Sequence, residues 1–324
     1  MAATIVLNAS NIVGKDNNTL VYAFPNSVQF PHHQIAIQNV TMYYSWENIN
    51  STTLANNFFT YSWKTLNVGQ VNPTLVNIPN GLYEVTDINH YLQFVMIQQG
   101  QYLINSAGQF VYFGELVVNS SQYAIQLNTY PIPTHAQFNG GAAAVGGVYT
   151  GTGAYAGWTT PLADPLVLNT FGWAGWNAQN YNPSFTFPAN FAALIGFADG
   201  YSSPDQTGTE LNFSVLSTRA PNVQPNSSIY FSISNINNQY AIPSSIIYSL
   251  SPAVAFGDQI RDIPPQYTWN NLIKGTYNEL RLTILGIDKS PIVILDPNMT
   301  ILLSIRDTKD LGLADIVSQV QGGK

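Results

Sequence analysis

Four histidines, His32, His33, His90 and His135, are the side chains best suited to metal or acid–base chemistry, and their placement argues against a shared task. His32 and His33 are adjacent, and on an extended strand neighbouring side chains point to opposite faces, so they reach one ion only where a turn brings them round. His90 falls on a predicted helix and His135 in a loop. The chain has no Cys, which removes thiolate nucleophiles, disulfides and Cys-based zinc sites together. Carboxylates are sparse. Glu84 and Asp87 flank the predicted helix start, where negative charge complements the helix dipole, and Asp258 and Asp262 bracket Arg261 in what reads as a loop salt-bridge cluster. No acid pair resembles a glycosidase set, and no Gly-x-Ser-x-Gly elbow, Walker loop, His-Glu-x-x-His or dinucleotide fingerprint occurs. The residues therefore nominate no catalytic, cofactor-binding or metal site, and the reading is of a protein that is not an enzyme and carries no cofactor.

The elements that would have to position any site are mostly strands. TLVYAF from Thr19 alternates and is closed by the turn chemistry of Pro25-Asn26. In the next run Ile35 and Ile37 hold one phase while Val40, Met42, Tyr44 and Trp46 hold the other, so a β-bulge is predicted near Asn39. NFFTYSW from Asn57 reads as a further strand, and Pro73 and Pro79 limit pairing after it. From Thr86 to Gln99 the apolar period turns helical, with Thr86 as cap, Gly100 as left-handed stop and an apolar stripe packed on the sheet. Strands resume at FVYFGELVVN and QYAIQLNTY, and the last third supplies LNFSVLS, SSIYFSIS, SSIIYSLSP, NELRLTILGI, PIVIL and MTILLSIRD. The fold class is all-β: a jelly-roll β-sandwich with one helix near 86–99 and a Gly-rich, aromatic insertion.

Four segments follow from this reading: 1–133 as the N-terminal part of the jelly roll, 134–210 as an insertion or projecting region, 211–308 as the C-terminal part, and 309–324 as a tail. Within the insertion, Ala136 to Gly157 has too few burying groups to offset ordering and reads as a loose loop. The aromatic stretch after it, Trp158 to Phe187, is expected to project rather than to close one end of the core as a lid. PANFAALIGF reads as a short helix with Phe191, Leu194 and Ile195 buried, and Leu313, Ile316, Val317 and Val320 recur at helical spacing in the tail.

Composition bounds the partners. Charged residues are 8% of the chain while 45% is apolar, so the polar surface rests on Asn, Gln, Ser, Thr and Tyr. Such a surface costs less to desolvate than one of Lys and Glu. The net charge is −7 and the ten Lys and Arg are scattered, which excludes a phosphate-tracking surface and direct nucleic-acid contact as the main task. No run reaches the roughly 20 apolar residues of a membrane span, and MAATIVLNAS lacks the features of a signal peptide.

Taken in order, the Tyr-x-Phe strand, its turn, Ile-x-Ile and Tyr43-Tyr44-Ser45-Trp46, then IPNGLYEVTDINHYLQFVMIQQGQYLIN, resemble the penton (minor capsid) proteins of virophages and polinton-like viruses. The resemblance covers Thr19 to Pro133 and resumes at PANFAALIGF, YAIPSSIIYSLSP and PPQYTWNNLIKGTYNELRLTILGIDKSPIVILDPNMTILLSIRD; between Thr134 and Tyr181 there is none. It implies a jelly-roll penton subunit, a homopentamer at the five-fold vertices of an icosahedral capsid, with itself and the neighbouring major capsid protein as partners and a host-surface ligand as a further candidate. It also implies a virion component assembled inside the host cell in a cytoplasmic virus factory. In related viruses a maturation protease cuts after Gly-Gly in a context that VQGGK resembles. Two rivals remain open here: a receptor- or glycan-binding sandwich using the 158–187 rings, and a β-sandwich hydrolase.

Overall fold

Ile35, Ile37, Val40 and Met42 are all buried in the computed structural model, although they lie in two different alternation phases of one strand. The paired strand shows why: Leu303 faces Ile37 and Leu302 faces Asn39, leaving Gln38 as the extra residue of a β-bulge, as the phase slip predicts. The structure describes residues 2–64, 71–161, 173, 176, 179–208, 210–223 and 226–309. Within it the chain divides into two units, one made of 1–47 and 224–324 and the other of 48–223. The sequence-derived boundaries at 133/134 and 210/211 both fall inside the second unit.

The first unit contains β1 (Ala2–Leu7), β2 (Ile12–Val13), β3 (Thr19–Gln29) and β4 (His33–Tyr43), then, after the second unit, β13 (Ile229–Ile233), β14 (Ile246–Leu250), β15 (Gln259–Asp262), β16 (Asn270–Asn271), β17 (Thr276–Leu285) and β18 (Thr300–Asp307). One sheet has the order β1-β18-β4-β15, with β16 also on β4; the other has β14-β13-β17-β3-β2. Leave aside the two-residue strands β2 and β16, and the remaining eight pair first with last, second with seventh, third with sixth and fourth with fifth, always antiparallel. A long hairpin rolled over on itself gives that pattern, which is the jelly roll. The second unit is inserted between the third and fourth of these strands.

Each sheet turns one alternating face inward. Ile301, Leu303 and Ile305 lie opposite Val40, Ile37 and Ile35, while Leu280, Leu282 and Ile284 line up with Tyr22, Leu20 and Phe231. Full burial of such a side chain contributes about 1.5–3 kcal/mol. Two local expectations change. β3 does not stop at Pro25-Asn26: residues 24–27 bulge outward against the single residue Asn278, so the proline breaks no ladder hydrogen bond and pairing resumes at Val28. PIVIL is not a strand; Ile292 and Ile294 are buried from an irregular segment whose amides reach Ile284 and Asp16. β1, which the sequence reading did not anticipate, is held by six paired positions on β18.

The second unit contains β5 (Phe58–Lys64), β6 (Val71–Asn77), α1 (Val85–Gln98), β7 (Leu103–Ile104), β8 (Phe110–Val111), β9 (Gly114–Asn119), β10 (Ala124–Thr129), α2 (His135–Asn139), β11 (Ser184–Thr186), α3 (Ala189–Ile195) and β12 (Phe213–Leu216). They form the sheets β11-β5-β6 and β12-β10-β9 and the hairpin β7-β8. Pro73 sits on β6, an edge strand, where its missing N–H is harmless. α1 packs its Ile88, Leu92, Val95 and Met96 inward and ends as expected: Gly100 at φ +66° donates to Ile97 and Gln101 to Met96, a Schellman close. Its cap is Glu84 rather than Thr86, because the Asp87 carboxylate accepts from the Glu84 N–H at 2.9 Å.

The core of this unit is aromatic. Trp63 meets Phe113, Trp173 and Tyr181 edge-on at 6.1–6.3 Å, and Phe59 stacks on Phe191 at 4.7 Å. Trp173, Trp176, Tyr181, Phe185 and Phe187 are therefore interior, so these rings close a core instead of projecting. Phe171 lies outside the described residues, as does the 313–320 periodicity with Gly322-Gly323-Lys324. The Gly-rich tract is not a loose loop either: α2 is capped by Thr134 and ends at Gly140, and Phe138 and Tyr149 both pack against the buried Trp176 ring. Its glycines supply left-handed corners between buried anchors, such as Gly140 at φ +66°. Asn is also an interior residue here. Asn48 donates to Tyr83 and Val223 carbonyls and accepts from the Tyr83 N–H, while Asn182 binds Thr129 and Leu211.

Candidate assembly surface

The ionisable residues do not converge. His33 begins β4 with its ring edge on Phe30 at 5.2 Å, and the neighbouring His32 uses its carbonyl to accept from Thr308. His90 is exposed on α1, and His135 lies against Tyr149 and Trp176 in the second unit. Among the described residues no three His, Asp or Glu side chains are grouped to hold a metal ion. The Asp258–Arg261–Asp262 salt-bridge cluster does not form. These residues are on or beside β15, where Arg261 points outward, and Asp262 instead accepts from the Tyr248 hydroxyl at 2.6 Å. That bond joins the edge strands β14 and β15, one from each sheet, and burial followed by the Asp262 carboxylate raises the Tyr248 pKa above its ordinary value.

The arrangement offers surfaces. On the sheet built around β4 and β18, alternation sends Thr4, Val6, Asn39, Thr41, Tyr43 and Leu302 outward, all uncharged. Among the described residues that face also carries Arg306, which lies over Trp269 at 4.0 Å and donates two N–H groups to the Gln34 side-chain oxygen, and Arg261. On the opposite sheet Glu279 and Arg281 stand side by side at 3.6 Å, each about half exposed at 53%.

Several partly exposed apolar groups lie near the far end of β4, where the Asp296 carboxylate also accepts from the Tyr43 N–H at 3.3 Å. Tyr43, Val254, Phe256 and Leu295 are 37–49% exposed. Backbone bonds tie them to one corner: Gly257 N–H to Tyr44 O at 2.9 Å and Leu295 N–H to Ser45 O at 3.2 Å, with Phe256 edge-on to Tyr44. A second feature flanks β14, where a groove of about 430 Å³ lies between Tyr230, Tyr248 and Ile246, with Lys289 over the Tyr230 ring. Beside it Tyr240 and Ile242 stand 99% and 90% exposed, on a loop that Asn238 pins through Ile246 O and the Tyr240 N–H. Neither feature is nominated by sequence reasoning. Phe256 and Tyr240 sit in Pro- and Gly-punctuated loops with no periodicity to expose them, although Tyr43, Tyr240, Ile242 and Leu295 lie within the stretches that carry the resemblance.

Chemically, low-charge faces and half-exposed rings support association, because their burial releases water without stranding charge. No protein-family model matches the chain, and no curated protein matches it. Among solved structures, the crystal structure of the mavirus penton protein aligns over 94% of this chain and 96% of that one, at 10% sequence identity and a TM-score of 0.39.

Proposed function

We propose that this chain is a structural capsid protein, a penton subunit whose copies close into a homopentamer at the five-fold vertices of an icosahedral particle. The observation that carries the reading is the jelly roll's pair of low-charge outer faces together with the half-exposed apolar groups Tyr43, Val254, Phe256 and Leu295. The resemblance of its motif order to that of virophage and polinton-like pentons supports the reading as well. A ring needs a heterologous contact, in which one patch meets a different patch on the next copy. The apolar corner supplies one side of such a contact. In this reading the first partner is the chain itself and the second the surrounding major capsid protein, and the product is a virion component assembled inside the host cell.

The test is the mass of the purified full chain across a concentration series, by mass photometry and electron microscopy. Particles of five 35.5 kDa chains, seen as rings, are expected. A monomer at every concentration, unchanged when the major capsid protein is added, overturns the proposal.

A further inference from the structure

The groove beside β14 runs along the outermost strand of its sheet. β14 ends the order β14-β13-β17-β3-β2, so one edge of its backbone has no neighbouring strand. Residues 246–249 of that strand line the groove of about 430 Å³ together with Tyr230 and Lys289. Other outer strands are blunted. On β9 the Leu116 N–H is taken by the Asn89 side chain of α1 at 2.9 Å, and β6 carries Pro73. β14 has a bulge at Ile247 but neither a proline nor a charged residue.

Lys289 supplies an independent observation. It is the one charged residue among those lining the groove. Its backbone is left-handed at φ +68°, a conformation that suits glycine and strains a residue with a long side chain. The turn around it is fixed: the Lys289 N–H donates to Gly286 O at 3.0 Å and the Gly286 N–H to Ser290 O at 2.8 Å. That corner places the ammonium 3.2 Å from the centre of the Tyr230 ring. The carboxylates nearby are already engaged, Asp288 by the Ser290 N–H and hydroxyl and Asp262 by the Tyr248 hydroxyl. Among the described residues Lys289 forms no salt bridge. A cation–π contact at a partly exposed site is worth no more than a left-handed backbone costs, so fastening Tyr230 does not by itself account for a lysine here.

From these observations we infer that the groove is a strand-addition site for a partner protein. Its occupant is an extended segment that pairs with β14 and sets a Glu or Asp side chain against Lys289, with β-branched apolar residues on either side. The strand edge selects an extended backbone, which alone offers N–H and C=O groups at the spacing of β14. The unpaired ammonium selects a carboxylate, since a charged acceptor makes the stronger bond. Tyr230 and Ile246 select apolar neighbours for that carboxylate. The loop forming one wall is preorganised by the Asn238 side chain, which donates to Ile246 O at 2.9 Å and accepts from the Tyr240 N–H at 3.1 Å, and this limits the ordering cost of binding. The occupant belongs to a different chain, so the inference does not rest on ring closure.

The experiment is calorimetry and NMR on the full chain with the blocked peptide Ac-Thr-Val-Glu-Val-Thr-Val-NH2, its counterpart with Gln for Glu, and a third with Pro for the central Val. The Glu peptide is expected to bind saturably, with Kd on the order of 1 mM or tighter. The Gln peptide should bind about tenfold more weakly and the Pro peptide not at all. Bound Glu peptide should slow hydrogen exchange at the β14 amides, a readout that needs no variant. Lys289→Gly should erase the preference for Glu over Gln while the melting temperature holds or rises, because the backbone strain leaves with the side chain. No binding of the Glu peptide, equal binding of the Glu and Gln peptides, binding of the Pro peptide, unchanged exchange at β14, or a Glu preference that survives Lys289→Gly overturns the inference. So does a change of particle mass in well-folded Lys289→Gly, which makes the groove a contact between copies. Particle mass alone tests the pentamer, so the two proposals fail separately.

Discussion

Replacing Tyr248 with Phe deletes one oxygen and with it a hydrogen bond that clamps the two sheets of the jelly roll together at their β14–β15 flank. A hydroxyl donated to a carboxylate is worth about 1.5–3 kcal/mol, and the half-exposed setting of both groups pulls the expectation toward the lower bound. For a unit of about 150 residues, a loss of about 1.5 kcal/mol lowers the melting temperature by about 3–6 °C. The assay is thermal unfolding of Tyr248→Phe, Asp262→Ala and the double variant, in which a coupling of about 1 kcal/mol is expected. The pH dependence has a definite sign. Since the folded-state pKa of Tyr248 is raised above the ordinary 10.0, its contribution is complete below pH 10 and is lost as the pH climbs through the folded value. Above pH 10 the unaltered protein should therefore lose stability more steeply than Tyr248→Phe. A shift under about 1 °C, or additive single variants, refutes the claim that this bond fastens the sandwich.

Deleting Gln38 should be tolerated, because removing the bulge residue leaves Ile37, Val40 and Met42 in one continuous phase; deleting Thr41 turns Met42 outward and should abolish soluble folded protein, both read by circular dichroism. Gly114→Ala should destabilise the second unit by about 1–3 kcal/mol, measured by denaturant unfolding, since the added methyl meets Phe185 Cζ at 2.6 Å. Joint Phe256→Ser and Leu295→Ser should lower the particle mass toward monomer while the fold is kept, with the melting temperature lowered by about 3–6 °C because each side chain is about half buried. Tyr130, pushed up to about 12 by burial and then by Glu115, should titrate in the Tyr130→Phe difference absorbance near that value, and closer to 10 in Glu115→Gln.

The amino-acid sequence by itself determined what depends on neighbours along the chain. The bulge near Asn39 was legible because it leaves a phase slip in the apolar pattern, the Gly100 stop because a left-handed corner favours one residue type, and the α3 helix because its buried positions recur at helical spacing. The all-β class followed from the same alternation repeated along the chain. The absence of Cys and the scarcity of charge were plain from composition.

Tertiary structure alone decided which strands meet and which side chains stay in water. First pairs with last, so the register of β1 is set by residues some 300 positions away, and no local pattern encodes that distance. The same applies to Tyr248 and Asp262, whose bond exists only because two edge strands close one flank, and to Arg261, which the sequence offered an ion pair that the strand turns away. Trp176 and Phe110 show the limit most clearly. Both are aromatic and both lie among turn residues, yet one is buried and the other stands 46% exposed, because exposure is a property of what the fold lays over a residue rather than of the residue itself.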